Sequence, residues 1–303
     1  MDKDVCKHFY AINNSFSKTL GKKGEYQIII NEHILNQYCN SNECSDNLGK
    51  INAGCLYLLD AFFKNNSVFK SDANSNINIV YYIMIWLSYM LNLKKNEFDD
   101  SLDFFYKTYI NNQEKYTKSI NGVAEYNSYK DLIDKKKMKD MNIKDISKLY
   151  DVFIKLCMMH YEFNEQKPDC DKYLTDANNF VEKYRKLKAD SSIIKKDSYN
   201  QLLSTLSKDY DNFKNKCSAK CSNSSFPTIE KSETSVGSIG QISEVASSSS
   251  SVTSKLFTVL SVFGAIAFFL GISYKYSLFG FRKRFQKQQI REKIKNIKKR
   301  MNR

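Results

Sequence analysis

Eight cysteines (Cys6, Cys39, Cys44, Cys55, Cys157, Cys170, Cys217 and Cys221) and three histidines (His8, His33 and His160) are the side chains best suited to chemistry in this 303-residue chain. Thiolate and imidazole groups hold zinc when four of them converge as a tetrahedron. "CMMH", running from Cys157 to His160, combined with Cys170, or "CSAKC" at 217–221, would have to supply such a set, and neither spacing matches a common zinc module. Disulfides are the reading the spacings favour, with His160 on a helix face. Local pairs are Cys39 with Cys44, Cys157 with Cys170, and Cys217 with Cys221. Cys55 lies inside an apolar helix, where a buried free thiol fits equally well. Eight cysteines allow about 105 connectivities, so the pairing as a whole stays open. No Gly-rich phosphate loop, HExxH helix or GxSxG elbow occurs, so no catalytic residue, cofactor or metal is expected and the chain does not read as an enzyme.

Cysteine placement carries a second message. All eight precede a charge-free run of nineteen residues, "LFTVLSVFGAIAFFLGISY" at 256–274. As a helix that run reaches about 28 Å, close to the hydrocarbon thickness of a bilayer. Lys275 can snorkel and "YSLFGF" can extend the apolar length, so a span is assigned to 255–281. Inside it, Ser261/Ala265 and Ala267/Gly271 are small-xxx-small pairs of the kind that let helices approach. A second apolar run, "IVYYIMIWLSYMLNL" at 79–93, is shorter, holds three tyrosines and is followed at once by "KKNE". It covers only about 22 Å and reads as a buried core helix.

The formal net charge of +14 is concentrated beyond the span. Residues 275–303 hold twelve Lys/Arg and one acid, a net of +11, leaving only +3 for the 274 residues before them. That distribution argues against a nucleic-acid binder. By the positive-inside rule the basic tail, 282–303, is cytoplasmic, and the N-terminal part faces outward or into a lumen. Ile290, Ile294, Ile297 and Met301 form one apolar face of a basic helix. Anionic inner-leaflet lipids, contacted by Arg282, Lys283, Arg284, Lys287 and Arg291, or a cytoskeletal partner would suit that tail, and so would a plain stop-transfer role. The opening residues "MDKDVCKHFY" contain no apolar signal-peptide core, so a tail-anchored chain with a cytosolic N-terminal part is the competing topology. Asn13, Asn65 and Asn223 begin glycosylation triplets if the N-terminal part is lumenal.

Helical spacing must position the cysteines. Val5, Phe9, Ile12 and Phe16 make one stripe, and Phe98, Leu102, Phe105 and Tyr109 another. Ile146, Leu149, Phe153, Leu156 and His160 follow the same rhythm. So do Tyr173, Ala177, Phe180, Tyr184 and Leu187, and then Tyr199, Leu203, Leu206, Tyr210 and Phe213. "AGCLYLLDAFF" is apolar nearly all round, as a central helix would be, and only "EYQIII" hints at a strand. The expected class is all-α, a helical bundle over 1–221. Residues 222–254 hold thirteen serines in thirty-three positions and read as a flexible stalk.

Several longer strings carry a resemblance. "VCKHF" at 5–9, "HILNQYCNSNECSDNLGKINAGCLYLLDAFF" at 33–63 and "NINIVYYIMIWLSYMLNLKKNE" at 76–97 are joined by "DISKLYDVFIKLCMMHYEFNE", "ANNFVEKYRKLKADSSI" and "QLLSTLSKDYDNFK". With them the chain resembles the Plasmodium interspersed repeat (PIR) proteins of the rodent-malaria yir, bir and cir type. The resemblance implies a helical variant domain, a low-complexity stretch, one membrane helix and a short cytoplasmic tail. It implies blood-stage expression at the parasite or infected red-cell membrane, and roles in antigenic variation, immune evasion or adhesion through a host receptor or antibody. Structural roles for Cys6, Cys39, Cys44, Cys55, Cys157 and Cys170 are also implied. No ligand-binding or catalytic residues carry over. An intracellular, membrane-anchored scaffold or host-cell remodelling component is the alternative.

Overall fold

The computed structural model describes residues 1–39, 43–94, 102–137, 142–190 and 197–229. Helix starts in this chain are set by short polar side chains that accept from otherwise unpaired first-turn amides. Asp2 caps α1 (Lys3–Ser15) by accepting from Val5 N at 3.0 Å. Asp46 opens α3 (Asn47–Phe63) through Gly49 N at 2.7 Å, after a short α2 (Glu32–Asn36). Asn65 caps α4 (Asn66–Ser71), and Ser128, Asn142 and Asp169 do the same downstream for α8 (Tyr129–Lys135), α9 (Ile143–Ser147) and α11 (Cys170–Lys188). The remaining elements are α5 (Ile79–Asn92), α6 (Leu102–Phe105) running into a π turn at Tyr106–Ile110, α7 (Glu114–Thr117), α10 (Tyr150–Glu162) and α12 (Asp197–Lys220).

The run at 79–93 becomes α5, whose fourteen residues reach about 21 Å. Twelve of those fourteen are buried, so α5 is the centre of the bundle, packed against α3, α9 and α10. Its approach to α3 is close because residue 54 is glycine: a Cβ there would fall on the far edge of the Trp86 indole, 3.0 Å from Cζ2. α1 lies across α3 and α10, and Phe9, Phe62, Tyr82 and Phe153 interlock where these helices meet, with ring centroids 4.8–6.4 Å apart. α10 then carries the fold into a second layer, the antiparallel pair α11 and α12. A second aromatic group, Phe163, Tyr173 and Phe213, fills that junction.

The all-α expectation holds for this domain. Among the described residues no strand forms; Phe16 and Ile28 make a single antiparallel bridge, within the segment where "EYQIII" hinted at a strand. The stripes from Val5, Tyr173 and Tyr199 fall on α1, α11 and α12, whereas that from Ile146 divides between α9 and α10 around Leu149. Phe98 lies outside the described residues, as do the stalk from 230 onward, the span at 255–281, the tail and its Arg282, Lys283, Arg284, Lys287 and Arg291. No helix among the described residues is long and apolar enough to cross a membrane.

Packing continues past the boundary drawn at 221. Residues 222–229 fold back along α11 and α12, burying Phe226 and Ile229. Arg185 donates from Nε to the Ile229 carbonyl at 3.0 Å and from a terminal nitrogen to Thr228 at 2.7 Å, while Tyr210 donates to Pro227 at 2.6 Å. Serine-rich composition concealed this strap, whose hold depends on two buried apolar residues and on backbone carbonyls.

Candidate functional site

The cysteines are sorted by which helix faces which. Cys6 on α1 is joined to Cys157 on α10, Cys170 at the start of α11 to Cys221 just beyond α12, and Cys39 to Cys44 in the loop before α3. Their Cα separations of 5.1, 5.7 and 5.2 Å lie inside the range a disulfide spans. The short-range pair Cys39–Cys44 is as the spacing suggested. The other two local pairs are corrected. Cys157 points at α1, because α10 packs on α1, and not toward the connector leading to Cys170. Cys217 continues the inward stripe of Tyr210 and Phe213, and Cys221 lies past the helix end, facing α11. Cys55 and Cys217 are therefore buried free thiols, and desolvation pushes each up to about 12. A thiol so raised is a poor nucleophile at neutral pH.

His160 does not meet a zinc set. Its Cys157 and Cys170 neighbours in sequence are consumed in disulfides, and its own Nε2 lies 3.1 Å from the Asp209 backbone carbonyl, with Phe213 edge-on at 5.3 Å. Burial lowers its pKa to about 4, so at neutral pH the ring is uncharged and Nε2–H donates. The Asp209 carboxylate beside it accepts from the Tyr82 hydroxyl and from the Met1 amino group, so this buried acid is paired on both oxygens. Among the described residues no three His, Cys, Asp or Glu side chains converge to hold a metal ion. Of the glycosylation triplets, Asn13 is half-buried in α1 and accepts from Tyr150, while Asn65 is exposed and spends its carbonyl on the α4 cap.

A surface cleft of about 450 Å³ gathers convergent polar groups. Leu56 and Asp60 on α3 and Lys64 at its C-cap, one helical turn apart, form one wall. Gln37 and Tyr38 come from the end of α2, Lys115, Lys118, Ser119 and Ile120 from α7 and the loop after it, and Tyr129 from the start of α8. Asp60 organises the wall: Tyr38 donates to one carboxylate oxygen at 2.9 Å and Tyr129 to the other at 2.5 Å. Burial and the Asp60 charge hold both phenols protonated, well above their ordinary pKa. Lys115 donates to the Gln37 carbonyl at 3.2 Å and hangs over the Tyr38 ring. Sequence reasoning missed this cleft, since its lining is gathered from residues 37 to 129 and its lysines are unremarkable in a chain that is 26% charged.

Fold and staples together define a disulfide-braced, all-helical domain. Residues 6–275 match the family described as Plasmodium variant antigen protein Cir/Yir/Bir, and the chain belongs to that family. Its fold is similar to the solved structure of a Plasmodium PIR protein ectodomain, with 30% sequence identity and a TM-score of 0.57, covering 75% of this chain and 96% of that one. No curated protein matches the sequence.

Proposed function

We propose that the chain is a non-enzymatic, single-span variant antigen, displayed at a parasite or infected red-cell membrane with its helical domain outside and its C-terminus cytoplasmic. Antigenic variation, immune evasion or host-cell adhesion would then be the work of the outer helical face, meeting a host receptor or an antibody. The basic tail would meet anionic lipids or the cytoskeleton. The observation carrying this reading is the pairing of six cysteines, all of them ahead of the apolar run 256–274, as an oxidising compartment would produce. It is supported by the similar solved structure, a Plasmodium PIR protein ectodomain, 96% of which aligns with this chain.

Protease shaving of intact infected red cells tests it, using a chain tagged at its N-terminus beside a membrane-protected control protein. External trypsin should remove the tag and spare the control. A tag that survives until the membranes are permeabilised refutes surface display and leaves an intracellular membrane-anchored scaffold, acting through the basic tail, as the reading to pursue.

A further inference from the structure

The cleft between α3 and the α7–α8 segment is built to hold an anion, and we propose that it binds a small acidic saccharide, one that carries a carboxylate or sulfate among hydroxyl groups. Three ammonium groups, Lys64, Lys115 and Lys118, stand at its rim against one carboxylate, Asp60. Asp60 is not an open acceptor, because each of its oxygens already accepts a hydrogen bond from a tyrosine hydroxyl. Lys64 and Lys118 are exposed and form no ion pair among the described residues, so their charge is uncommitted. Elsewhere on the surface many lysines are spent on nearby acids, as Lys130 is on Asp134, Lys172 on Glu162 and Asp176, and Lys186 on Glu182. A cationic ligand is disfavoured by the three lysines at the rim, one of which, Lys115, already lies over the Tyr38 ring at 5.8 Å.

The carrier of the charge follows from the rest of the lining. The Ser119 hydroxyl and the Gln37 amide offer donors and acceptors for hydroxyl groups, while Leu56 and Ile120 supply apolar lining. The volume, 450 Å³, lies within the range of small-ligand sites and suits one or two sugar rings better than a bare ion. The walls are fixed before binding. Tyr38 and Tyr129 are tied to one carboxylate, and Tyr38 precedes Cys39, which is clamped to Cys44. A preformed site of this kind loses little conformational entropy when filled. This inference deepens the reading of the outer domain as a contact surface, yet binding by the isolated chain does not depend on which side of a membrane the domain occupies.

The test uses the full chain in an uncharged detergent at low salt, with binding followed by calorimetry. The probes are N-acetylneuraminic acid, a sulfated heparin-derived disaccharide, neutral N-acetylglucosamine and inorganic phosphate. At least one acidic sugar should bind, more weakly as salt rises, and more tightly than both the neutral sugar and phosphate. Lys64→Ser with Lys118→Ser should weaken it about tenfold, the loss of two exposed ion contacts. Lys183→Ser with Lys188→Ser on α11, and Arg282→Gln with Lys283→Gln and Arg284→Gln in the tail, should leave it unchanged. The proposal is overturned if neither acidic sugar binds, if the neutral sugar or phosphate binds as well, or if affinity follows the tail variant and not the cleft variant.

Discussion

Removing the Cys6–Cys157 bridge should be the most damaging loss of any single staple, and the reason lies in loop length. The three disulfides close sequence separations of 151, 51 and 5 residues. By chain entropy alone, opening them returns about 5, about 4 and about 2 kcal/mol to the unfolded state, in that order. A domain of this size is held by about 5–15 kcal/mol in all, so losing the α1–α10 bridge removes a large fraction. Cys6 and Cys157 are both 1% exposed, and alanine at each would add a small cavity to that loss. The assay is urea unfolding of the double variants Cys6→Ala/Cys157→Ala, Cys170→Ala/Cys221→Ala and Cys39→Ala/Cys44→Ala. Trp86 is the single tryptophan of the chain and is 1% exposed at the centre of α5, so its fluorescence reports the core directly. Stability losses should rank with loop length. An equal or greater loss from opening Cys39–Cys44, or a loss below about 2 kcal/mol from opening Cys6–Cys157, would refute the reasoning.

Gly54→Ala should cost about 1–3 kcal/mol, because the new methyl meets the Trp86 ring on a neighbouring helix and neither can retreat; a lowered urea midpoint with a shifted Trp86 emission checks it. Acidification should destabilise the domain between pH 6.5 and about 4, since the unfolded chain takes up a proton on His160 that the folded state, with its lowered pKa, refuses. The full difference is worth about 3 kcal/mol by linkage; it is present above pH 6.5, lost as pH falls to about 4, and His160→Gln should flatten that part of the stability profile. Arg185→Ala should free the strap at 222–229 from α11, so that limited proteolysis cuts before Phe226 sooner than in the parent chain, with the helical core midpoint little changed.

Local periodicity made much of this fold legible. A charge-free run too short to span a bilayer had to be buried, and α5 is. Stripes at helical spacing located α1, α11 and α12, because amphipathic helices declare their inward face residue by residue. Pairings that depend on which helices become neighbours were not legible. Cys157 lies thirteen residues from Cys170 but across a helix interface from Cys6, and nothing in the local sequence distinguishes those partners. The cleft was hidden for the same reason: Asp60 sits in an apolar helix, and the two tyrosines that pair with it stand 22 and 69 residues away. The strap was misread by composition, which counts serines and does not weigh a well-placed Phe226 and Ile229.

The measurement that bears most directly on the central claim is a disulfide map of the chain taken from infected red cells. Free thiols would be alkylated under denaturing conditions before digestion without reductant. The expected result is three linked peptide pairs, Cys6 with Cys157, Cys39 with Cys44 and Cys170 with Cys221, and alkylation confined to Cys55 and Cys217. Eight alkylated cysteines would contradict both the staples and the oxidising-side placement of the helical domain, and linkage of Cys157 to Cys170 or of Cys217 to Cys221 would contradict the helix packing itself.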